Sequence, residues 1–223
     1  MPVLSLSRIL SFWAEQQPDR VAIDHEGDAI SWADLDASTN RLARAYEALG
    51  VKQDDFVTIA LPNSIEFFSA CFAVWKLGAT PQPISAKLPR HERDQIIELG
   101  KPSLIIGVQP GEYEGTPSVS LGFEPDAALS DDALPERTAA SLKAMTSGGS
   151  TGRPKLIVSA QPATWDTELP FLEIQQQGAM LVPGPLYHNG PFVWAMTALF
   201  RGCTVAITTR FDAEKTLETI ERV

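Results

Sequence analysis

Cysteine is scarce in this chain, with two in 223 residues. Cys71 and Cys203 lie far apart, with no histidine or second cysteine near either. Such a pair makes no disulfide scaffold and gives no support to a zinc site or a cysteine nucleophile, so both thiols are expected to be buried and inert. Basic residues are outnumbered, 18 Lys plus Arg against 28 Asp plus Glu, for a formal charge of −10. Gripping a nucleic-acid backbone needs clustered Lys and Arg, so no nucleic-acid partner is expected. No apolar run approaches the roughly 20 residues of a membrane-spanning helix. The start, Met1 to Arg8, lacks a basic region followed by a long apolar core, so no signal peptide is expected and the location is read as cytoplasmic. Hydrophobic residues make up 44% of the chain, enough for one large core or two small ones. No repeat of fixed period is visible.

What the chain does have is the run Met145-Thr146-Ser147-Gly148-Gly149-Ser150-Thr151-Gly152-Arg153-Pro154-Lys155. Glycines admit positive φ, so consecutive N–H groups can turn into one concavity and hold an anion. The hydroxyls add donors that reorient freely, and Lys155 adds a full positive charge. Together they have the chemistry of a polyphosphate cradle. The run is not a Walker A loop, which ends Gly-Lys-Ser/Thr so that the last hydroxyl reaches magnesium. Here Pro154 separates Gly152 from Lys155, and Leu156 stands where that hydroxyl would be. The triplet Leu156-Ile157-Val158 reads as a strand, so Lys155 is expected to leave the loop into a strand and not a helix. The alternative is a Gly/Ser-rich linker. A linker needs neither Arg-Pro-Lys nor apolar segments tight on both sides.

Elsewhere strands alternate with helices. A helix is expected over 6–16, short strands at 21–23 and 29–31 around the turn-like His25-Glu26-Gly27-Asp28, and a helix carrying Leu35, Leu42, Tyr46 and Leu49 on one face. A strand at 56–61, a helix through Ile65, Phe68, Phe72 and Trp75, and a strand at 80–84 follow. Next come a helix at 90–99 and a strand at 104–107. The prolines at 110, 117, 125 and 135 predict an irregular segment over 108–138, with at most a short strand near 118–121. Strands at 140–145, 179–182 and 204–208, a helix at 191–200 and a last helix capped by Asp212 complete the pattern. Such alternation predicts an α/β architecture with mostly parallel sheets.

The run Thr146 to Lys155 resembles the phosphate-binding signature of the adenylate-forming (AMP-binding) superfamily, whose members include acyl-CoA synthetases, luciferases and adenylation domains of peptide synthetases. Departures are the extra Gly149 and Leu156 in place of a frequent glycine; the Ser-Gly-Gly-Ser-Thr-Gly form resembles a branch that includes bile-acid and related acid–CoA ligases. Three further segments are similar to the superfamily's, in its order: Ile30-Ser31-Trp32-Ala33-Asp34-Leu35, Trp75 to Ile84 with its Lys-x-Gly-Ala, and Pro185-Leu186-Tyr187-His188-Asn189-Gly190.

The resemblance implies an ATP-dependent ligase that activates a carboxylic acid as an acyl-adenylate and passes it to a thiol, most often that of coenzyme A. It implies that Thr146, Ser147, Gly148, Gly149, Ser150, Thr151, Gly152 and Lys155 hold the ATP phosphates, with Mg2+ bridging them and Thr151 a candidate contact to the ion. It places His188, with Asn189 and Gly190, on the acyl and carboxylate side; Lys155 and His188 are the candidate catalytic residues. His25 and His91 match no motif and are expected at the surface. The superfamily's later aromatic-Gly-x-Thr-Glu and Thr-Gly-Asp motifs and its mobile C-terminal lid with a second lysine are not among these residues. Residues 1–223 are therefore expected to be a truncated N-terminal adenylation domain, without complete turnover alone. A carrier-protein loader and a non-catalytic nucleotide-binding module stay open as alternatives. Fatty, aromatic and steroidal acids all fit as substrate, and the oligomeric state is not legible.

Overall fold

The computed structural model describes residues 3–147, 153–168, 171, 174, 176 and 178–223. In chain order the elements begin β1 (Leu4–Ser5), α1 (Leu6–Gln16), β2 (Val21–His25), β3 (Asp28–Ser31), α2 (Trp32–Ala48) and β4 (Phe56–Ile59). Next come α3 (Ile65–Lys76), β5 (Thr80–Pro83), α4 (Arg90–Gly100), β6 (Leu104–Ile106) and β7 (Ser118–Val119). The last are β8 (Ala144–Ser147), β9 (Lys155–Val158), β10 (Thr164–Trp165), β11 (Ala179–Val182), α5 (Asn189–Phe200), β12 (Thr204–Ile207) and α6 (Ala213–Arg222).

Serines open the first three helices: Ser5, Ser31 and Ser64 accept from the backbone N–H of Ser7, Asp34 and Phe67, satisfying donors the helix cannot. Helix α3 differs from the other two. Phe67, Phe68, Cys71, Phe72, Val74 and Trp75 are all buried, so it is apolar on every side and must be enclosed. Two sheets and the helices α1, α2 and α5 pack around it. One sheet, ordered β5-β4-β6-β7, is parallel throughout. The other, β11-β12-β2-β3, is parallel until the β2–β3 hairpin, whose turn residues Glu26 and Gly27 both have positive φ. At the far end of α3, Gly78 turns with φ +68, and a Cβ there would stand 2.8 Å from that of Arg137. Trp75 and Phe72 meet Phe200 edge-on, and Trp75 meets Phe192, locking α3 to α5.

The α/β class and the parallel sheets agree with the sequence. Segment 108–138 holds only β7, Asp212 caps α6, and both cysteines are buried. The strand expected over 140–145 instead begins at Ala144. Residues 139–143 keep scattered backbone bonds to 159–163, with Leu142 N–H donating to the Gln161 carbonyl at 2.8 Å. Ala140 N–H donates instead to Asp54 at 2.7 Å, and the Ser141 and Leu142 carbonyls accept from Thr80 and Trp75 side chains at 3.0 and 2.9 Å. Helix α5 starts two residues before the expected Pro191.

Lys76 is the one charge on α3 that is fully enclosed, at 2% exposure. Its ammonium donates to the Asp36 carbonyl at 3.0 Å, the Asp36 carboxylate at 2.6 Å and the Asn40 side-chain oxygen. Ser11 of α1 donates to the same carboxylate at 3.1 Å, so one polar knot ties three helices. Burial lowers the Lys76 pKa to about 8 despite Asp36, which pulls the other way. Lys76→Met strands the Asp36 carboxylate, and urea unfolding is expected to register a loss of about 3–5 kcal/mol. The pH dependence has a definite sign. Below pH 8 folded and unfolded chains both hold the proton; between about 8 and 10.5 only the unfolded chain does. Native stability, compared with that of Lys76→Met, should therefore rise across that window by at most about 1.4 kcal/mol per pH unit. A flat difference between the two proteins would refute the assignment.

Candidate active site

Strands β8 and β9 form an antiparallel hairpin in which Ser147 stands opposite Lys155. Lys155 is thus the first residue of a strand, as its apolar neighbours required, and it is exposed. Between the strands, Gly148, Gly149, Ser150, Thr151 and Gly152 lie outside the described residues. Thr146 and Ser147, at the end of β8, line a cleft of about 510 Å³ together with Arg153 and Pro154. That volume falls within the few hundred to about 1,000 Å³ usual for a small-molecule pocket. The Thr146 hydroxyl is buried and, among the described residues, has no hydrogen-bond partner. A buried hydroxyl left unmet is a cost the fold bears without return unless a ligand meets it.

The second wall is the loop from β11 into α5. Tyr187 and His188 line the cleft, their rings 4.3 Å apart between centroids. His188 occupies the N-cap position of α5 yet makes no side-chain capping bond, so its imidazole is not spent on the helix. Its N–H donates to the Pro185 carbonyl at 3.1 Å, and its carbonyl accepts from Phe192 at 3.0 Å. Asn189 and Gly190 form the first turn of α5; the Asn189 side chain accepts from Lys143, which precedes β8 and links the hairpin to this loop. Burial, with no carboxylate to offset it, lowers the Lys143 pKa.

The third wall was not foreseen. His91, Glu92 and Gln95 of α4, which packs beside β9, also line the cleft, as do Ile84 and Ser85. The His91 side chain is 76% exposed, as a surface residue should be, but its position faces the cleft. Helix periodicity marks which residues of α4 are exposed and carries no signal for what they face. His25 lies elsewhere, 2.9 Å from the Thr209 hydroxyl. The fold thus brings Thr146, Ser147 and His188 to one cleft. Among the described residues no cluster of His, Cys, Asp or Glu fits a metal ion, and Thr151 falls outside them.

A family model described as "AMP-binding enzyme" matches residues 10–223. The long-chain-fatty-acid–CoA ligase FadD13 of Mycobacterium tuberculosis is 26% identical over 83% of this chain and 41% of its own length. A feruloyl-CoA synthase of Amycolatopsis sp. is 28% identical over 94% of this chain and 45% of its own. The chain therefore spans about half the length of the curated relatives it matches. The solved N-terminal domain of FACL13 from Mycobacterium tuberculosis superposes with a TM-score of 0.80 at 23% identity, over 98% of this chain and 61% of that one.

Replacing Thr146 by valine removes the unmet hydroxyl and keeps the shape. Urea unfolding of Thr146→Val should show stability unchanged or higher by about 1 kcal/mol. A fall of that size would mean the hydroxyl already has a partner within the fold.

Proposed function

We propose, from the premise that this chain belongs to the family of AMP-binding enzymes, that it is the N-terminal, phosphate-holding part of an ATP-dependent carboxylic acid–CoA ligase. The observation that carries this is the buried, unpartnered Thr146 hydroxyl at the mouth of a glycine-rich hairpin, on the cleft that His188 also lines. In the first half-reaction a carboxylate oxygen attacks the α-phosphorus of ATP. Pyrophosphate leaves with the electron pair of the broken P–O bond, and an acyl-adenylate remains. In the second, the thiol sulfur of coenzyme A attacks the acyl carbon and AMP departs. Pyrophosphate departure gathers charge on the β- and γ-phosphates, so fixed donors aimed there lower the barrier. Thr146, Ser147, the Gly148–Gly152 run and Lys155 are assigned that task; Mg2+ would shield the phosphates. His188, Asn189 and Gly190 are assigned to the acid side, where a helix N-terminus favours a carboxylate.

A carrier-protein thiol as acceptor would use the same first step. A non-catalytic nucleotide-binding module is disfavoured by α6, which leaves Leu217 and Ile220 at 65% and 58% exposure, a face suited to further protein. The remaining machinery is assigned to a longer parent protein, of which residues 1–223 are one part.

Acid-dependent exchange of labelled pyrophosphate into ATP tests the assignment. The parent should exchange, and the 223-residue chain alone should not. No exchange by the parent across fatty and aromatic acids would refute it. Lys155→Ala in the parent should slow exchange by about 10²–10³-fold, the usual loss for one such donor. Because Lys155 is exposed, its removal should leave urea stability unchanged.

A further inference from the structure

Asn63 lies four residues beyond β4, just before the Ser64 cap of α3, and its side chain is buried at 8% exposure. Its amide nitrogen donates to the Gly184 carbonyl at 3.0 Å and the Thr208 carbonyl at 3.1 Å. Its oxygen accepts from the Leu186 N–H at 2.9 Å. Both donor hydrogens and the acceptor are therefore committed, and all three bonds reach segments more than a hundred residues away. Gly184 follows β11 and Thr208 follows β12, so one side chain joins the carboxyl ends of two neighbouring strands to the exit of β4.

We propose that Asn63 is a positioning residue that sets where His188 stands in the cleft. Gly184 and Leu186 bracket Pro185, whose ring limits the backbone between them and whose carbonyl receives the His188 N–H at 3.1 Å. Leu186 is wholly buried, so the loop cannot shift without uncovering it. On this path His188 is two hydrogen bonds from Asn63. The hairpin of Thr146 and Lys155 is anchored by the Trp75 indole on Leu142 and the Thr80 hydroxyl on Ser141, at 2.9 and 3.0 Å, while its Lys143–Asn189 bond to the acid-side loop is an exposed one between two side chains. Losing Asn63 should therefore loosen the acid side of the cleft and spare the phosphate side. The kinetic consequence rests on the proposed ligase activity; the structural one does not.

Two variants separate the possibilities. Asn63→Asp keeps the acceptor and the shape but loses both donors, and Asn63→Ala loses all three bonds. In the 223-residue chain, hydrogen exchange should quicken about tenfold or more over residues 184–192, the scale of one or two unmet buried hydrogen bonds, and stay unchanged over 153–158. In the parent, pyrophosphate exchange should show the KM for the acid raised by about tenfold with the KM for ATP within about twofold. Unchanged exchange over 184–192, a joint rise of both KM values, or failure of both variants to fold would each overturn the proposal, the last by showing a purely structural role. If the parent activates no acid, the hydrogen-exchange comparison still decides it.

Discussion

A helix with no solvent-facing side constrains everything around it, and α3 is that helix. Because its aromatic and aliphatic residues point in every direction, it is stable only when sheets and helices close over it. Its two ends carry the polar consequences. At the C-terminal end Lys76 enters the core and draws Asp36, Asn40 and Ser11 to itself, since a buried ammonium without partners would cost several kcal/mol, on the order of the whole chain's net stability. At the N-terminal end Asn63 collects backbone groups from two strand exits. Packing of the helix and placement of the cleft are thus one problem solved by one element.

The cleft lies at the carboxyl ends of parallel strands, where α/β sheets commonly bind ligands, because loops that leave there converge. The side proposed to hold phosphate departs from the usual solution. A P-loop aims a helix N-terminus at the anion; here Ser147 and Lys155 face each other across an antiparallel hairpin, and no helix follows the lysine. Strand backbones supply little net dipole, so the donors must come from the loop itself and from side chains such as Thr146. An unmet hydroxyl at that place is consistent with this division of labour.

Much of this was legible in the sequence, and for identifiable reasons. Helices α2 and α3 announce themselves by apolar spacing. The strand character of Lys155-Leu156-Ile157-Val158 follows from Pro154 and the apolar triplet. What was not legible depends on distant partners. Lys76 reads locally as a last-turn lysine favoured by the helix dipole, and nothing beside it in sequence betrays Asp36 and Asn40 forty and thirty-six positions away. Asn63 reads as a turn residue between Pro62 and Ser64. The regular ladder of β8 starts later than the sequence suggests, because the Ala140 N–H and the Ser141 and Leu142 carbonyls are taken by the side chains of Asp54, Thr80 and Trp75, and no sequence window contains those partners.

An acidic chain proposed to hold a polyanion poses an electrostatic question, and distance answers it. At physiological salt, charges separated in solvent by more than about 8 Å are largely screened. Several carboxylates are paired locally, Glu47 with Arg137, Asp24 with Arg222, Asp131 with Arg41 and Glu112 with Arg93, although each pair spends a base with an acid and leaves the net charge unchanged. A phosphate in the cleft would meet the near field of Arg153 and the Thr146 and Ser147 hydroxyls, with Glu92 the one carboxylate among the cleft-lining residues described; Lys155 is not among those residues. Net charge bears on the field met by extended polyanions, while binding of a compact polyphosphate would be decided by a handful of donors within hydrogen-bonding reach.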